Sequence, residues 1–94
     1  MDEREYIITL YEYYGNLLTL KQQTYFEDYY FDNLTMEEIA ENDDISKNAV
    51  SKQLISIKEK LNYYEDILKL NYNREKIEEV LSDTKYLNQI NEYI

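Results

Sequence analysis

Residues 34–61 contain the pattern that most constrains how this chain can fold, because two helices must meet there within a short turn. Thr35 and Glu38 have the Thr-x-x-Glu spacing of a capping box, which predicts that a helix begins at Met36. An Asn-Asp-Asp sequence then interrupts the helical pattern, and Ser46 is a good N-cap for a second helix. Apolar residues of that second helix recur at spacings of four, three and four and share one face: Val50, Leu54, Ile57 and Leu61. The stretch is therefore predicted to be a helix-turn-helix.

The opposite face of the second helix is polar, and its residues are not needed for packing of the core. Five residues form it: Lys47, Asn48, Ser51, Lys52 and Ser56. Asparagine can pair with adenine, and lysine can meet phosphate or guanine, so this face is a candidate nucleic-acid contact. The alternative is the ordinary polar surface that any solvated helix shows. Ile55 lies near the same side and would suit a contact with a protein.

The chain resembles two related groups of helix-turn-helix sequences. The run from Leu17 to Leu61, which begins LLTLKQQTYFEDYYFDNLTMEEIAENDDISKNAVSKQL, is similar to region 4 of bacterial sigma factors. The opening YEYYGNLLTLKQQTYFEDYYFDNLT and the helical tail resemble the small YlxM-like proteins of low-GC bacteria, over roughly residues 6–81. That family often has an apolar residue and a glycine where this chain has Asp43 and Asp44. Aspartate tolerates the left-handed backbone conformation better than most residues, so we expect the turn to form.

The resemblance implies a regulatory helix-turn-helix protein that is accessory to the signal recognition particle pathway. Its partners would then be the RNA or the proteins of that particle. Two other functions stay open. One is a DNA-binding transcriptional regulator whose dimer reads two half-sites, and the other is a helical adaptor that binds only protein.

The charge of the chain opposes tight binding to DNA. Twenty acidic and ten basic side chains give a net charge of −10. Residues 1–45 carry two basic and twelve acidic side chains, whereas residues 46–94 carry eight of each. Phosphate neutralisation dominates DNA affinity, and four lysines of the second helix are available for it: Lys47, Lys52, Lys58 and Lys60. Nucleic-acid binding is therefore favoured by the motif and opposed by the electrostatics.

Residues 25–32 combine aromatic and acidic side chains, and this combination has two interpretations. Tyr29 and Tyr30 are expected at the edge of the core, with their hydroxyl groups reaching water. Alternatively, a basic partner could dock onto the three carboxylates of the same stretch: Glu27, Asp28 and Asp32.

Composition disfavours catalysis and membrane insertion. The chain has no Cys and no His, so it lacks thiolate chemistry and the commonest general base and metal ligand. Adjacent acidic pairs such as Glu65-Asp66 diverge by about 100° on a helix, and we expect them to be solvated. We predict a non-enzyme without cofactor or metal. The acidic opening MDEREY and the absence of a long apolar run predict a soluble cytoplasmic protein.

The predicted fold class is all-α, with one small helical domain over residues 1–94. The helix-turn-helix occupies about residues 35–61, and a helical tail occupies about residues 62–94. Two helices are expected before the motif, over residues 3–16 and 20–31.

The apolar face of the second helix is longer than the recognition helix of a helix-turn-helix requires for packing. The extra length predicts a homodimer that forms through the tail. The extended seam contains Val50, Leu54, Ile57, Leu61, Tyr64 and Leu68. A turn is expected at Asn71 and Asn73, followed by helical structure over residues 74–93. The apolar residues of this last region are Ile77, Val80, Leu81, Leu87 and Ile90. Packing of the tail onto the seam within one chain is equally compatible with the pattern.

Overall fold

The computed structural model describes residues 2–81, and their regular secondary structure is entirely helical. Five α-helices follow one another: α1 (Glu3–Tyr14), α2 (Leu20–Tyr30), α3 (Met36–Asp43), α4 (Lys47–Leu68) and α5 (Leu70–Leu81), with a 3₁₀ turn at Gly15–Leu17. The predicted all-α class is confirmed. None of the helices within residues 2–81 is long and apolar enough to cross a membrane. Leu87, Ile90 and the end of the predicted last helical region lie outside the described residues.

Side-chain caps fix where the first four of these helices begin, and at the start of α1 Asp2 Oδ1 accepts the Glu5 N–H at 2.8 Å. Thr35 Oγ1 accepts the Glu38 N–H at 3.1 Å, and the Glu38 carboxylate accepts the Thr35 N–H at 3.0 Å. Thr19 and Gln22 form the same reciprocal pair at the start of α2. Ser46 Oγ accepts an N–H of the first turn of α4 at 3.1 Å. The predicted capping box at Thr35 and the predicted N-cap at Ser46 are therefore confirmed, and each satisfies N–H groups that have no partner within the helix.

The hydrophobic core surrounds the N-terminal part of α4, which α1, α2 and α3 cover. The predicted face of α4 supplies four buried side chains: Val50, Leu54, Ile57 and Leu61. The rest of the core comprises Ile7, Leu10, Tyr14, Leu18, Tyr25, Phe26, Tyr30, Ile39 and Ala40. The predicted extension of the seam is only partly right. Tyr64 is partly buried, but 47% of Leu68 is exposed because no described element covers that side of the last turn of α4.

A stack of three aromatic rings joins α1 to α2. The Phe26 ring lies between those of Tyr11 and Tyr30, with centroid distances of 4.0 Å and 4.4 Å. The Arg4 guanidinium lies over the Tyr30 ring, 5.2 Å from its centroid, and donates to the Tyr30 carbonyl at 2.7 Å. Tyr29 is partly buried, as its predicted place at the edge of the core requires, whereas Tyr30 is buried within the core. Ring stacking and the cation–π contact add to the stabilisation that the α1–α2 pair gains from burying apolar surface.

The junction between α4 and α5 differs from the predicted one. Asn71 and Asn73 lie within α5 and do not form the expected turn. The break falls instead at Lys69, whose backbone is left-handed with φ 55° and ψ 31°. Asn71 is only 5% exposed, which suits a packed helix start better than a solvated turn.

The buried side chain of Glu65 accounts for this junction, so the expectation that Glu65 is solvated is wrong. Only 7% of Glu65 is exposed, and its Oε1 accepts the Tyr14 hydroxyl at 2.6 Å. Its two oxygens also accept the N–H groups of Asn71 at 3.2 Å and Tyr72 at 3.0 Å. Tyr14 Oη accepts the Leu70 N–H at 3.1 Å. This Glu65–Tyr14 cap satisfies the first N–H groups of α5 and places a negative charge at its positive end.

We expect Glu65→Gln to lower the free energy of unfolding by about 1–3 kcal/mol. The amide preserves the shape of the side chain, but its nitrogen donates where an oxygen accepted, so a buried N–H loses its partner. Asp66→Asn is the matched control, because it removes the same charge from an exposed neighbour. It should change stability by less than about 0.5 kcal/mol. Urea denaturation measures both, and equal effects of the two variants would contradict the cap.

Candidate nucleic-acid interface

The turn between α3 and α4 is closed by a left-handed aspartate. Asp44 has φ 54° and ψ 48°, and its N–H donates to the Glu41 carbonyl at 3.3 Å. The Ile45 N–H donates to the Ala40 carbonyl at 3.0 Å, and the two bonds together form a Schellman motif. Ile45 also packs against the core. The expectation that aspartate can hold this turn is therefore confirmed.

The five predicted contact residues lie on the N-terminal part of α4, but their environments differ. Lys47, Asn48 and Lys52 are exposed, whereas Ser51 and Ser56 are partly buried. The two serines therefore lie at the flanks of the exposed side, where a hydroxyl can still reach a ligand placed between them.

The centre of the exposed side of α4 is chemically mixed. Asn48, Lys52, Ile55 and Glu59 repeat the spacing of four, three and four that the buried face shows, and all four are exposed. They therefore form one stripe on the side away from the core. Ile55 is 53% exposed and Glu59 adds a negative charge, so only the first half of the stripe suits a phosphate group.

Lys47 is already paired with a carboxylate of α3. Its Nζ lies 2.8 Å from Oε1 of Glu37. This hydrogen bond raises the pKa of Lys47 and lowers the pKa of Glu37. The side chains are 59% and 63% exposed, so water screens the pair. A phosphate group that approaches Lys47 must nevertheless compete with Glu37.

The other two lysines of α4 that could favour DNA are directed elsewhere. Lys58 Nζ lies 3.5 Å from Glu3 Oε1, and Lys60 Nζ lies 3.3 Å from Gln22 Oε1, so they reach towards α1 and α2. Lys52, in contrast, forms no ion pair with any residue between 2 and 81. Of the four lysines predicted to neutralise phosphate, only Lys52 and the paired Lys47 therefore remain on the exposed start of α4.

A cleft beside Lys47 was not evident from the sequence. It has a volume of about 370 Å³, and its lining comes from four helices and the α2–α3 connection: Arg4, Tyr29, Asn33, Leu34, Thr35, Met36, Glu37 and Lys47. Arg4 donates to Asn33 Oδ1 at 3.2 Å as well as to the backbone of α2, so its charge is already used within the fold. Sequence reasoning missed this cleft because its walls come from distant parts of the chain.

Acidic side chains of α2 lie near those of the α3–α4 turn. Burial, followed by the charges of Asp32, Asp43 and Glu27, raises the pKa of Asp28. These carboxylates therefore share one region, and the negative potential they create adjoins the start of α4. These carboxylates oppose the approach of a phosphate group to that side of the molecule.

Comparisons with known proteins agree with this architecture. A family model described as "UPF0122: Putative helix-turn-helix protein, YlxM / p13 like" matches residues 1–94. A UPF0122 protein of Malacoplasma penetrans is 37% identical over 87 residues, which cover 89% of this chain and 81% of the relative. A UPF0122 protein of Ureaplasma parvum is 36% identical over 92 residues, covering 95% and 93%. One from Bacillus mycoides is 34% identical over 87 residues, covering 85% and 79%.

The left-handed turn predicts a distinctive substitution series at Asp44. We expect Asp44→Ala to lower the free energy of unfolding by about 1 kcal/mol, because alanine lacks the short polar side chain that tolerates this conformation. Asp44→Asn and Asp44→Gly should retain the stability of the parent chain. Asp43→Ala is the control, since it removes the same charge from a residue within α3. Thermal and urea denaturation distinguish these outcomes, and a neutral Asp44→Ala would contradict the role of the turn.

Proposed function

The chain belongs to the UPF0122 family of YlxM/p13-like helix-turn-helix proteins, and we propose that it is a non-enzymatic protein that binds nucleic acid through α4. The exposed start of α4 is the observation that carries this proposal. Ser46 occupies only one N–H of the first turn, through Ala49, and leaves those of Lys47 and Asn48 available. Such N–H groups and the helix dipole favour phosphate, and reader helices of this motif contact DNA from their N-terminal residues.

The proposed contact residues should contribute unequally to nucleic-acid binding. Lys52 comes first, because it is exposed and its charge is not neutralised by a described residue. Asn48 lies one turn before it and would supply hydrogen bonds to a base edge. Ser51 and Ser56 would contribute from the flanks. Lys47 would contribute less than Lys52, since Glu37 must first release it.

We propose further that the protein acts in the cytoplasm as a regulatory accessory of the signal recognition particle. The support is the YlxM resemblance together with the charge. A net charge of −10 weakens the long-range attraction to duplex DNA that a genome-scanning protein uses. A ribonucleoprotein particle can instead hold the protein through RNA and protein contacts together, so few phosphate contacts suffice.

Two alternative functions follow from specific features of α4. The helix-turn-helix itself would serve a DNA-binding transcriptional regulator. Ile55 and Glu59, on the same exposed stripe, would serve an adaptor that binds only protein. Undetectable affinity for both DNA and RNA at low salt would favour the adaptor.

We also propose a homodimer through the C-terminal part of the chain. Several apolar side chains there are exposed: Tyr63, Ile67, Leu68, Leu70, Tyr72 and Val80. Tyr63 and Ile67 are four residues apart on α4 and are 61% and 58% exposed, so they present a continuous apolar stripe. Surfaces of this kind usually mark interaction sites.

Lysine substitutions test the nucleic-acid proposal. Lys52→Ala should weaken binding to signal recognition particle RNA and to duplex DNA, and should reduce the salt dependence by about one unit of slope. Lys47→Ala should have a smaller effect. Glu37→Gln should tighten binding, because it frees the Lys47 ammonium. Lys21→Ala is the control, since it makes the same charge change on an exposed residue of α2.

Salt titrations monitored by fluorescence anisotropy measure all four variants. Equal losses for Lys52→Ala and Lys21→Ala would mean that net charge alone controls binding and that α4 is not the interface. The ratio of affinities for the particle RNA and duplex DNA separates the accessory function from transcriptional regulation.

If the homodimer forms through the apolar stripe, charged substitutions within the stripe should disrupt it and those beside the stripe should not. We expect Ile67→Lys to shift the sedimenting species from twice the chain mass of 11.5 kDa to the monomer at micromolar concentration. Asp66→Lys, at the exposed neighbouring position, should leave the dimer intact. A parent chain that sediments as a monomer under these conditions would remove the dimer from the proposal.

A further inference from the structure

A second cleft lies between α1 and α2, and no residue of α4 lines it. Its volume is about 280 Å³, and its lining consists of Tyr11, Glu12, Gly15, Asn16 and Phe31. The nucleic-acid proposal uses none of these residues. The cleft therefore needs an explanation of its own.

The walls of this cleft are aromatic. Tyr11 is stacked on Phe26 with an interplanar angle of 4°, and Phe31 meets both rings edge to face at centroid distances of 5.8 Å. Phe31 is 46% exposed although it is large and apolar. The arrangement therefore offers a fixed aromatic surface to whatever enters the cleft.

Gly15 keeps this cleft open. It is the sole glycine of the chain, and its backbone has ordinary helical angles of φ −54° and ψ −36°. Backbone conformation thus does not require a glycine there. A Cβ atom at this position would come within 3.0–3.1 Å of three ring atoms of Tyr11. A larger residue at this position would therefore push the Tyr11 ring away from its place against the helix backbone and its stack on Phe26.

The surroundings of the cleft are acidic. Glu12 lines it, and Glu27 lies beside Tyr11, where burial and then the charge of Glu27 raise the pKa of Tyr11 to about 12. Neither carboxylate forms an ion pair with any residue between 2 and 81. Residues 1–45, which supply the entire lining, carry twelve acidic and two basic side chains. The potential at the cleft therefore attracts cations and repels phosphate.

We propose that this cleft receives the arginine or lysine side chain of a basic protein segment. Aromatic rings attract cations, and a carboxylate at the rim can accept charge-assisted hydrogen bonds from them. Arginine suits the site better than lysine, because its planar guanidinium stacks on rings and donates two parallel hydrogen bonds to one carboxylate. The cleft is thus a docking site for a cationic protein surface and is separate from the proposed nucleic-acid contact on α4.

Binding of a labelled hexa-arginine peptide to the full chain tests this proposal at about 0.15 M salt. We expect Phe31→Leu, which retains an apolar side chain without the ring, to weaken binding about two- to fivefold. Glu12→Gln should weaken it to a similar extent. Gly15→Ala should also weaken it by displacing Tyr11, and circular dichroism shows whether that variant remains folded. Hexa-lysine should bind the parent chain more weakly than hexa-arginine.

Two controls separate the cleft from general charge attraction. Glu5→Gln removes an equal charge from an exposed residue of α1 that does not line the cleft, and it should leave peptide binding unchanged. Lys52→Ala should not weaken peptide binding, and Phe31→Leu should leave nucleic-acid binding unchanged, so each proposal can fail alone. Equal losses for Glu5→Gln and Glu12→Gln, or no loss for Phe31→Leu, would overturn the proposal. In an NMR titration of the isotope-labelled chain with hexa-arginine, amide shifts centred on residues 41–44 and not on the cleft would also overturn it.

Discussion

The buried carboxylate of Glu65 determines how the two halves of the molecule are arranged. An ionised group that is removed from water needs several hydrogen bonds, and Glu65 obtains them from the Tyr14 hydroxyl and two N–H groups of α5. The same contacts end α4, start α5 and attach both to α1. Helix α4 is therefore shared: its N-terminal part packs in the helix-turn-helix, and its C-terminal part positions the tail. The direction of α5 depends on this cap, and so does the position of the apolar side chains that α5 adds to the surface proposed for dimerisation.

The distribution of charge explains why the two proposed interfaces differ so strongly. Three of the four lysines on α4 are already engaged by Glu37, Glu3 or Gln22, which leaves Lys52 as the available cation of that set. Around the aromatic cleft the situation is reversed, because Glu12 of α1 and Glu27 of α2 form no ion pair with any of the described residues. A chain with this uneven distribution of charge can bind a phosphate group at one place and a basic protein segment at another. A particle made of RNA and protein presents both kinds of surface, which agrees with the proposed accessory function.

Local features of this fold could be predicted from the sequence, and long-range ones could not. The caps at Thr35 and Ser46 and the buried face of α4 depend on residues three or four positions apart, so spacing alone identifies them. The Tyr14–Glu65 bond joins residues 51 positions apart, and an adjacent Glu-Asp pair gives no sign that one member is buried. The sequence pattern places the junction after α4 wrongly for this reason. Asparagine is common in turns, but the buried Glu65–Tyr14 cap determines where α5 begins. Both clefts likewise require helices to be packed before their walls exist.

The position of the one glycine connects the backbone of this fold with its proposed docking site. Left-handed conformations favour glycine, yet within the described residues they are adopted by Asn33, Asp44 and Lys69. The chain therefore builds its tight turns with polar residues and accepts a modest strain at each. Its glycine stands instead in a helical conformation that any residue can adopt, so what distinguishes glycine there is the missing side chain. At Gly15 that absence lets Tyr11 lie flat, stack on Phe26 and form one wall of the acidic aromatic cleft. The steric requirement at Gly15 therefore supports the cleft independently of its charge.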